Sequence, residues 1–286
     1  SLSQAIPTQT LVARGPTVSI HLSDYFTVAG VTGPLVQFDT VKGKFNVELK
    51  ASDTPKTAAN FLNYVNRGAY TNSVMHRSLP SAAEPGNLNL FQGGGFYVSG
   101  TSLTPLATDT PVQSELKFSN TRGTIAMARQ AALDSATSQW FINVSDNTDL
   151  DTAGGGYTVF GRVIGGGLAV VDAVAAIPVY DKSVDLGSAF KSLPLLNNAL
   201  TVSNLAMVNS IKSASLFPDL ASSVSALSFS GTFSTPGIVS GDITASTLTL
   251  KPVAVGATNL TLNVVDTHGN SAAATFAINV VASPTI

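Results

Sequence analysis

The chain has 286 residues, of which 44% are hydrophobic and 11% are charged, and its formal net charge is −2. This length allows two domains with cores of their own, while the 15 lysines and arginines are scattered and form no run that would follow a phosphate backbone, so nucleic acid is not an expected partner. The lack of cysteine excludes disulfides, zinc-thiolate sites and thiol catalysis.

The first part of the chain predicts strands followed by a helix. In "TVSIHLSDYF" the apolar residues Val18, Ile20 and Leu22 alternate with polar ones, which is typical of a strand. The run "LVQFDTVKGKFNVEL" predicts two strands that turn at Lys42 and Gly43. The segment "SDTPKTAANFLNYVNRG" predicts a helix with Ser52 or Asp53 as its cap, Pro55 in the first turn, Phe61, Leu62 and Val65 as the buried stripe, and Gly68 at its end.

The rest of the chain predicts short strands, one more helix and a second domain. Core strands are expected in "RGTIAMAR", "TSQWFINV" and "YTVFGRVI", and a short helix in "GLAVVDAVAAI". The composition changes near Ser213, since residues 217–286 carry only four charged side chains. In this part "STLTLKPV", "ATNLTLNVVD" and "AATFAINVV" predict strands separated by turn residues, which is the pattern of a β-sandwich.

Several segments, taken together and in order, resemble the cyclophilin family of peptidyl-prolyl cis-trans isomerases. They are "FDTVKGKFNVELKASDTPKTAANFLNYVNRGAYTNSVMHR", "FQGGGF", "RGTIAMAR", "DSATSQWFINVSDNTDLD" and "GYTVFGRVI", within residues 35–212. The resemblance implies a mainly β fold, namely a closed eight-stranded antiparallel barrel with two helices and an active site in a groove on its outer face.

The residues that carry this resemblance suit a reaction that forms no bond to a side chain. Rotation about an X-Pro bond must overcome a barrier of about 18–20 kcal/mol that comes from amide resonance. A catalyst needs an apolar pocket for the proline ring, hydrogen bonds to the flanking backbone, and a donor that favours the twisted imide. A rigid, always charged guanidinium is such a donor.

The resemblance implies a role for nine residues. Arg77 of "MHR" matches the catalytic arginine, and Gln92 of "FQGGG" matches the glutamine that orients the substrate. Leu90, Phe141 and Leu150 match walls of the proline pocket. Ala128 and Arg129 match the edge that pairs with the substrate backbone, and Gln139 and Tyr157 match residues of the groove. Family members often have Asn in place of Arg129 and His in place of Tyr157.

Two departures from the family pattern make the predicted pocket less apolar. The chain inserts "SAAEPGN" between the arginine and the glutamine, and it has Asn89 where the family has an aromatic residue. Asp149 stands where some members have Trp. Leu88 or Phe91 could compensate by turning into the pocket. Low or altered activity is therefore one expectation.

Other conspicuous residues have a structural interpretation. His21, His76 and His268 are too far apart in sequence for a local metal motif, so neither a metal nor a cofactor is expected, and His76 is assigned to structure. The Gly triplets that begin at Gly93, Gly154 and Gly165 lack the Lys-Ser/Thr of a phosphate loop and predict turns. Trp140 is expected in the core, on the face opposite Phe141. The segment "DTHGN" predicts a hairpin turn, with a weak calcium site as the alternative.

The two ends of the chain are expected to form one module. Residues 217–283 show too few strands for an immunoglobulin-like sandwich, which needs about seven. The segment "IPTQTLVARGPTVSIHLSDYF" resembles the opening strands of immunoglobulin-like or cadherin-like modules. We expect residues 5–30 to pair with residues 217–283, with the isomerase domain inserted between them. The alternative is that the N-terminal strand packs on the barrel or on a second chain.

Three functions are open at this point. The first is a peptidyl-prolyl isomerase that acts on proline-containing peptides and unfolded clients outside the cytoplasm; the second is a weak or inactive module that binds proline-containing segments; the third is a structural or adhesive protein. A periplasmic, secreted or surface location is expected because the composition is β-rich and poor in charge, with a signal peptide already removed. No apolar run predicts a membrane-spanning helix. The oligomeric state is left open.

Overall fold

The computed structural model describes residues 1–28, 30–80, 88–219 and 224–284. The chain divides into a central unit, Thr32–Ala214, and a terminal unit, which consists of Ser1–Val31 together with Ser215–Ile286. Both units are mainly β with few helices, which confirms the predicted class. No helix among the described residues is long and apolar enough to cross a membrane.

The elements are numbered along the chain. The strands of the central unit are β3 (Leu35–Thr40), β4 (Gly43–Leu49), β5 (Ser73–Val74), β6 (Arg77–Leu79), β7 (Leu90–Gly93), β8 (Phe96–Ser99), β9 (Ser102–Pro105), β10 (Thr124–Met127), β11 (Trp140–Asn143), β12 (Val159–Ile164), β13 (Val179–Tyr180), β14 (Leu193–Pro194) and β15 (Met207–Ala214). Its helices are α1 (Pro55–Asn66), α2 (Gly167–Ala175) and α3 (Ser183–Leu186). The strands of the terminal unit are β1 (Gln9–Val12), β2 (Val18–His21), β16 (Leu227–Phe233), β17 (Val239–Thr244), β18 (Thr247–Pro252), β19 (Gly256–Asp266) and β20 (Ser271–Val281).

The central unit is organised around one curled sheet. Eleven strand segments follow the order β6-β7-β11-β10-β12-β4-β3-β15-β5-β8-β9. β5 and β6 lie on one continuous stretch, in which β5 pairs with β15 and β6 pairs with β7. The sequence predicts a closed barrel of eight strands. The sheet instead has two free edges, at β6 and at β9. The reason is that the stretch changes partners between Val74 and Arg77, while β8 and β9 extend one edge.

An aromatic core fills the inside of this sheet. Phe38 stacks on Phe45 with ring centroids 4.7 Å apart and meets the edge of Trp140 at 5.1 Å. Helix α1 adds Phe61 to this cluster, with its ring 6.3 Å from that of Phe38. The helix begins at Pro55, so its cap is Thr54 and not Ser52 or Asp53. The buried stripe of α1 therefore fixes the helix against the inner face of the sheet.

The terminal unit takes strands from both ends of the chain. β1 pairs with β20 in parallel, and β2 pairs with β18 in antiparallel fashion. The strands form a sheet of four, β1-β20-β19-β16, and a sheet of three, β17-β18-β2. One apolar cluster contains Ile20, Leu22 and Phe26 from the N-terminal segment as well as residues of the C-terminal strands. Each end of the chain thus supplies part of one core.

The loop between β19 and β20 is a tight turn. The Asp266 carboxylate accepts hydrogen bonds from the backbone N–H of His268 at 2.8 Å and of Asn270 at 3.0 Å. The Asn270 side chain donates to the same carboxylate at 2.8 Å. These donors hold the turn in the place where the sequence predicts a hairpin.

A truncation of Phe26 tests whether the N-terminal segment belongs to the terminal core. Phe26 is 1% exposed and its ring centroid is 5.5 Å from that of Phe229. We expect Phe26→Ala to cost about 3–5 kcal/mol of stability in this unit and to reduce hydrogen-exchange protection in β18 and β20. The fluorescence of Trp140, the single tryptophan, reports the central unit, so its urea midpoint should stay unchanged.

The matched control for this variant is Val12→Ala, since Val12 is 37% exposed on β1. Removing its methyl groups should change the protection of β18 and β20 only slightly, because surface substitutions usually shift stability by less than about 0.5 kcal/mol. Unchanged protection in Phe26→Ala would contradict a shared core.

Candidate active site

Three neighbouring strands place predicted site residues side by side. Arg77 on β6 is opposite Gln92 on β7, and Gln92 is opposite Phe141 on β11. The row continues to Ala126 on β10, which is opposite Phe141. Directly opposed residues on one face have Cβ atoms about 4.5–5.5 Å apart. A guanidinium, an amide and a phenyl ring therefore share one strip of the sheet.

The other face of the same strands belongs to the core. Phe91 and Trp140 are the sequence neighbours of Gln92 and Phe141, and they are 1% and 0% exposed within the central cluster. Successive side chains of a strand point to opposite faces, so this alternation is what the strand geometry requires. Trp140 lies in the core, as the sequence predicts, and Phe91 does not turn into the pocket.

Phe141 belongs to a small apolar cluster that is separate from the central core. Its buried members are Leu79, Leu90, Ala126, Phe141, Leu150 and Val159. Partly buried side chains pack against them, namely Leu88, Phe118, Ala128 and Tyr157. The structure therefore brings the three predicted pocket walls together. Sequence reasoning misses Leu79, Phe118, Ala126 and Val159 as members of this cluster. The alternation from Arg77 to Leu79 along β6 is a signal that identifies Leu79.

The polar side of the site is built on two glutamines and Arg77. Gln92 Nε2 donates a hydrogen bond to Gln139 Oε1 at 2.7 Å, which fixes both amides. The backbone N–H of Ala128 donates to the carbonyl of Gln139 at 2.9 Å, so β10 and β11 hold this pair in place. The Arg77 side chain is exposed, and in the described part of the chain its guanidinium has neither a hydrogen bond nor an ion pair. Its donors are thus free to bind a ligand.

His76 lies beside Arg77 as a neutral, packed ring. It is 3% exposed, and its imidazole meets the edge of Phe96 with centroids 5.1 Å apart. Burial, followed by the positive charge of Arg77, lowers the pKa of His76 to about 4. Arg77 is therefore the cation next to Gln92, and His76 carries no charge near neutral pH. Within the described ranges, no group of three or more His, Asp or Glu side chains could hold a metal ion.

The first Gly triplet permits a close approach between β7 and β11. Gly93 is part of β7 and pairs with Trp140, where an added Cβ would lie 2.7 Å from the indole. Gly94 has a φ of +77°, and a Cβ there would lie 2.5 Å from the carbonyl oxygen of Ser138. The predicted turn thus begins only after Gly93, and the bare backbone is needed where it meets the tryptophan.

The second Gly triplet forms a cradle of carbonyl groups for Arg129. Gly154, Gly155 and Gly156 have φ values of +59°, +95° and +96°, a turn that glycine adopts readily. Arg129 Nη2 donates to the carbonyls of Gly154 at 2.6 Å and Gly156 at 2.8 Å, and its Nε donates to Gly156 at 2.9 Å. The guanidinium therefore holds this turn in a fixed shape.

The same guanidinium supports the wall of the apolar cluster. The Arg129 Cζ lies 4.6 Å from the centroid of the Tyr157 ring, within the range of a cation-π contact. Tyr157 in turn meets the edge of Phe141 with centroids 5.8 Å apart. A chain of contacts thus runs from the Gly154–156 turn through Arg129 and Tyr157 to Phe141. The sequence predicts Arg129 only for its backbone, so this role of its side chain is new.

The departures from the family pattern have different structural outcomes. Asn89 is a loop anchor, because its N–H donates to Asn147 Oδ1 at 3.0 Å and its carbonyl accepts from Asn147 Nδ2 at 2.9 Å. Its neighbour Leu88 packs against the apolar cluster instead. Asp149 is exposed. The insertion "SAAEPGN", residues 81–87, lies outside the described residues.

Comparisons with known proteins identify a matching family and several similar proteins. Residues 35–188 match the family described as "Cyclophilin type peptidyl-prolyl cis-trans isomerase/CLD". The "Peptidyl-prolyl cis-trans isomerase" of Acinetobacter baylyi is 40% identical over 172 residues, which cover 59% of this chain and 81% of that protein. "Peptidyl-prolyl cis-trans isomerase B" of Escherichia coli is 37% identical over 150 residues, which cover 50% of this chain and 85% of that protein. A solved cyclophilin-type isomerase of Cryptosporidium parvum aligns with 64% of this chain and 99% of its own, at 22% identity and a TM-score of 0.47.

The family match covers more than half of the chain. It spans all nine predicted site residues, from Arg77 to Tyr157, and it lies within the central unit. The chain therefore belongs to the cyclophilin-type peptidyl-prolyl cis-trans isomerase family.

Proposed function

We propose that this protein catalyses the cis-trans isomerisation of X-Pro bonds in unfolded or loop segments of proteins outside the cytoplasm. The observation that carries this proposal is the row of Arg77, Gln92 and Phe141 across three paired strands, beside a separate apolar cluster. The extracytoplasmic location of the clients rests on the β-rich composition and the low content of charged residues.

The site can lower the barrier by acting on the twisted imide. Rotation breaks amide resonance, so the proline nitrogen recovers a lone pair that the planar amide does not offer as an acceptor. A guanidinium that donates to this nitrogen stabilises the transition state more than the ground state, which is the condition for a faster reaction. Arg77 is exposed, and its guanidinium has no partner among the described residues. In this proposal the paired amides of Gln92 and Gln139 hold the flanking backbone.

A binding module without catalysis is the second candidate. It is favoured by Asn89, whose backbone is bound to Asn147 in the place where the family has a pocket aromatic. Leu88 and Phe118 supply apolar surface to the cluster instead. Exchange spectroscopy on a short X-Pro peptide separates the two candidates, because a binder without catalysis shifts peptide signals but leaves the exchange rate between cis and trans forms unchanged.

We further propose that the terminal unit is an immunoglobulin-like sandwich into which the isomerase unit is inserted. Its described strands number seven, in sheets of four and three, which is the strand count of the smaller immunoglobulin-type sandwiches. One apolar cluster, with residues from both ends of the chain, supports this assignment.

Removal of the Arg77 guanidinium tests the catalytic role. We expect Arg77→Ala to lower kcat/KM by about ten- to a thousandfold, the scale of losing one transition-state donor. Folding should be retained, because Arg77 is exposed. The matched control is Arg14→Ala, which removes an exposed arginine of the terminal unit and should leave kcat/KM unchanged. Equal activity of Arg77→Ala and the wild type would refute the assignment.

The Arg129 side chain is predicted to act through Tyr157 and the Gly154–156 turn. Arg129→Asn should raise KM by about tenfold with a smaller change in kcat, because it loosens a wall that binds ground state and transition state alike. Arg129→Lys should raise KM almost as much as Arg129→Asn, since an ammonium cannot reproduce the forked hydrogen bonds of the guanidinium. Because Arg129 and Tyr157 are in contact, the effects of Arg129→Asn and Tyr157→His should not add in the double variant. Additive effects would show that the two side chains act independently.

Burial of neutral His76 predicts a pH-dependent stability of the central unit. Its pKa is lowered from 6.5 to about 4 in the folded protein. Between these values the unfolded state binds a proton that the folded state does not, so the free energy of unfolding falls as the pH is lowered. Urea unfolding followed by Trp140 fluorescence should show this decrease between about pH 6.5 and 5.

In His76→Phe the decrease over this pH range should be smaller, because the titrating group is gone while an aromatic ring still fills the space beside Phe96. The control His21→Gln removes an exposed histidine of the terminal unit and should keep the wild-type slope. A slope in His76→Phe equal to that of the wild type would contradict the prediction.

A further inference from the structure

A cavity of about 480 Å³ opens beside Arg77, on the side of the Gln92–Gln139 pair away from Ala128 and Arg129. Its walls include His76, Arg77 and Phe96, together with the segment 188–192 that follows α3. A second cavity, of about 580 Å³, shares Gln92 and Gln139 with the first and is lined by Asp109, Ala128 and Arg129. The two glutamines thus form a ridge between two cavities.

The far wall of the first cavity is anchored at both ends. The backbone N–H of Ser78 donates to the carbonyl of Ser192 at 2.8 Å, which joins the wall to β6 next to Arg77. Phe190 is 4% exposed and packs on Phe96 with centroids 4.7 Å apart. Lys191 lies between these two anchors, so its position beside the cavity is set by the fold.

The charges that line the first cavity are positive. Arg77 and Lys191 are its cations, its described lining contains no carboxylate, and His76 is neutral near physiological pH because its pKa is lowered to about 4. Lys191 interacts electrostatically with the Asp181 carboxylate, which is outside the lining and accepts hydrogen bonds from the Ser183 N–H and hydroxyl. The described lining therefore carries two positive charges and no negative charge, which favours an anionic ligand.

The second cavity has a different character. Asp109 contributes a carboxylate there, and the guanidinium of Arg129 is occupied by the carbonyl groups of the Gly154–156 turn. The described linings of the two cavities thus differ in charge. The first contains Arg77 and Lys191 and no carboxylate, whereas the second contains Asp109 and an arginine whose guanidinium is already hydrogen-bonded.

We propose that this cavity is a specificity site, in which Lys191 binds the carboxylate of an aspartate or glutamate that flanks the substrate proline. The inference deepens the isomerase function proposed above and rests on it. Arg77 is needed at the imide, so Lys191 is the residue that distinguishes acidic from neutral and basic flanking side chains. An exposed ion pair of this kind is expected to change kcat/KM by about two- to fivefold.

The test compares peptides within each enzyme variant. Each peptide contains one X-Pro bond and carries Glu, Gln or Lys at one position, scanned over the three residues on either side of the proline. In the wild type we expect one position at which the Glu peptide has a kcat/KM about two- to fivefold above that of the Gln peptide. Lys191→Gln should remove this ratio, and Lys191→Glu should reverse it in favour of the Lys peptide. High salt should weaken the preference, since it screens exposed charges.

The matched control is Lys212→Gln, which removes an exposed lysine on β15, outside the cavity, and should keep the wild-type ratio. The proposal is overturned if no position favours Glu, or if Lys191→Gln keeps the ratio of the wild type. Failure of the isomerase function gives a different result, because the wild type would then leave the neutral Gln peptide unaccelerated. In that case the same comparison is made with dissociation constants, measured by NMR titration. The inference holds if the wild type binds the Glu peptide more tightly than the Gln peptide and Lys191→Gln does not, and it is overturned otherwise.

Discussion

The site depends on the close packing of bare backbone against Trp140. A Cβ at Gly93 would lie 2.7 Å from the indole, and a Cβ at Gly95 would lie 3.0 Å from the ring of His76 and 3.1 Å from the Gln139 side chain. The contact at Gly93 is closer than real Cβ atoms approach, and those at Gly95 would force its neighbours to shift, so the bare backbone at Gly93 sets the distance between β7 and β11. That distance in turn allows the 2.7 Å hydrogen bond between Gln92 and Gln139. The packing of the core around Trp140 therefore also determines the positions of the two glutamine side chains in the site.

The electrostatics of the site follow from the same packing. His76 is buried beside the positive charge of Arg77, which keeps the imidazole neutral and leaves Arg77 as the charge beside Gln92. A pair of groups that exchange protons would serve general acid-base chemistry, but an amide rotation transfers no proton. A fixed positive donor beside an apolar cluster is enough to stabilise a twisted imide. The structure thus places a charged donor, Arg77, next to a histidine that is neutral near physiological pH.

Local sequence signals predict the elements well, but they do not predict how distant segments meet. Alternation in "FQGGG" and "QWFIN" separates Gln92 and Phe141 from Trp140, because strand geometry leaves only two faces. The helix Pro55–Asn66 follows from the proline in its first turn and its apolar stripe, although its cap is not the one predicted. Phe118 joins the pocket from a loop with no periodic pattern, and the cradle around Arg129 requires the three-dimensional path of the Gly154–156 turn. Non-local packing decides such contacts, as it decides the change of partner between β5 and β6.

The central unit also has the geometry of an inserted domain. Leu35, near its first residue, pairs with Ala214, its last residue, so its two ends lie on neighbouring strands. The Glu48 carboxylate holds the first residues of the central unit in place, because it accepts hydrogen bonds from the N–H groups of Thr32 at 2.6 Å and Gly33 at 2.9 Å. Although burial raises the pKa of Glu48, these bonds and the one from Arg162 at 2.8 Å lower it overall, so the carboxylate stays charged and keeps its partners. A domain whose first and last residues lie close together can take the place of a short loop in another domain. The central unit can therefore follow β2 and precede β16 in the chain while both strands belong to the terminal unit.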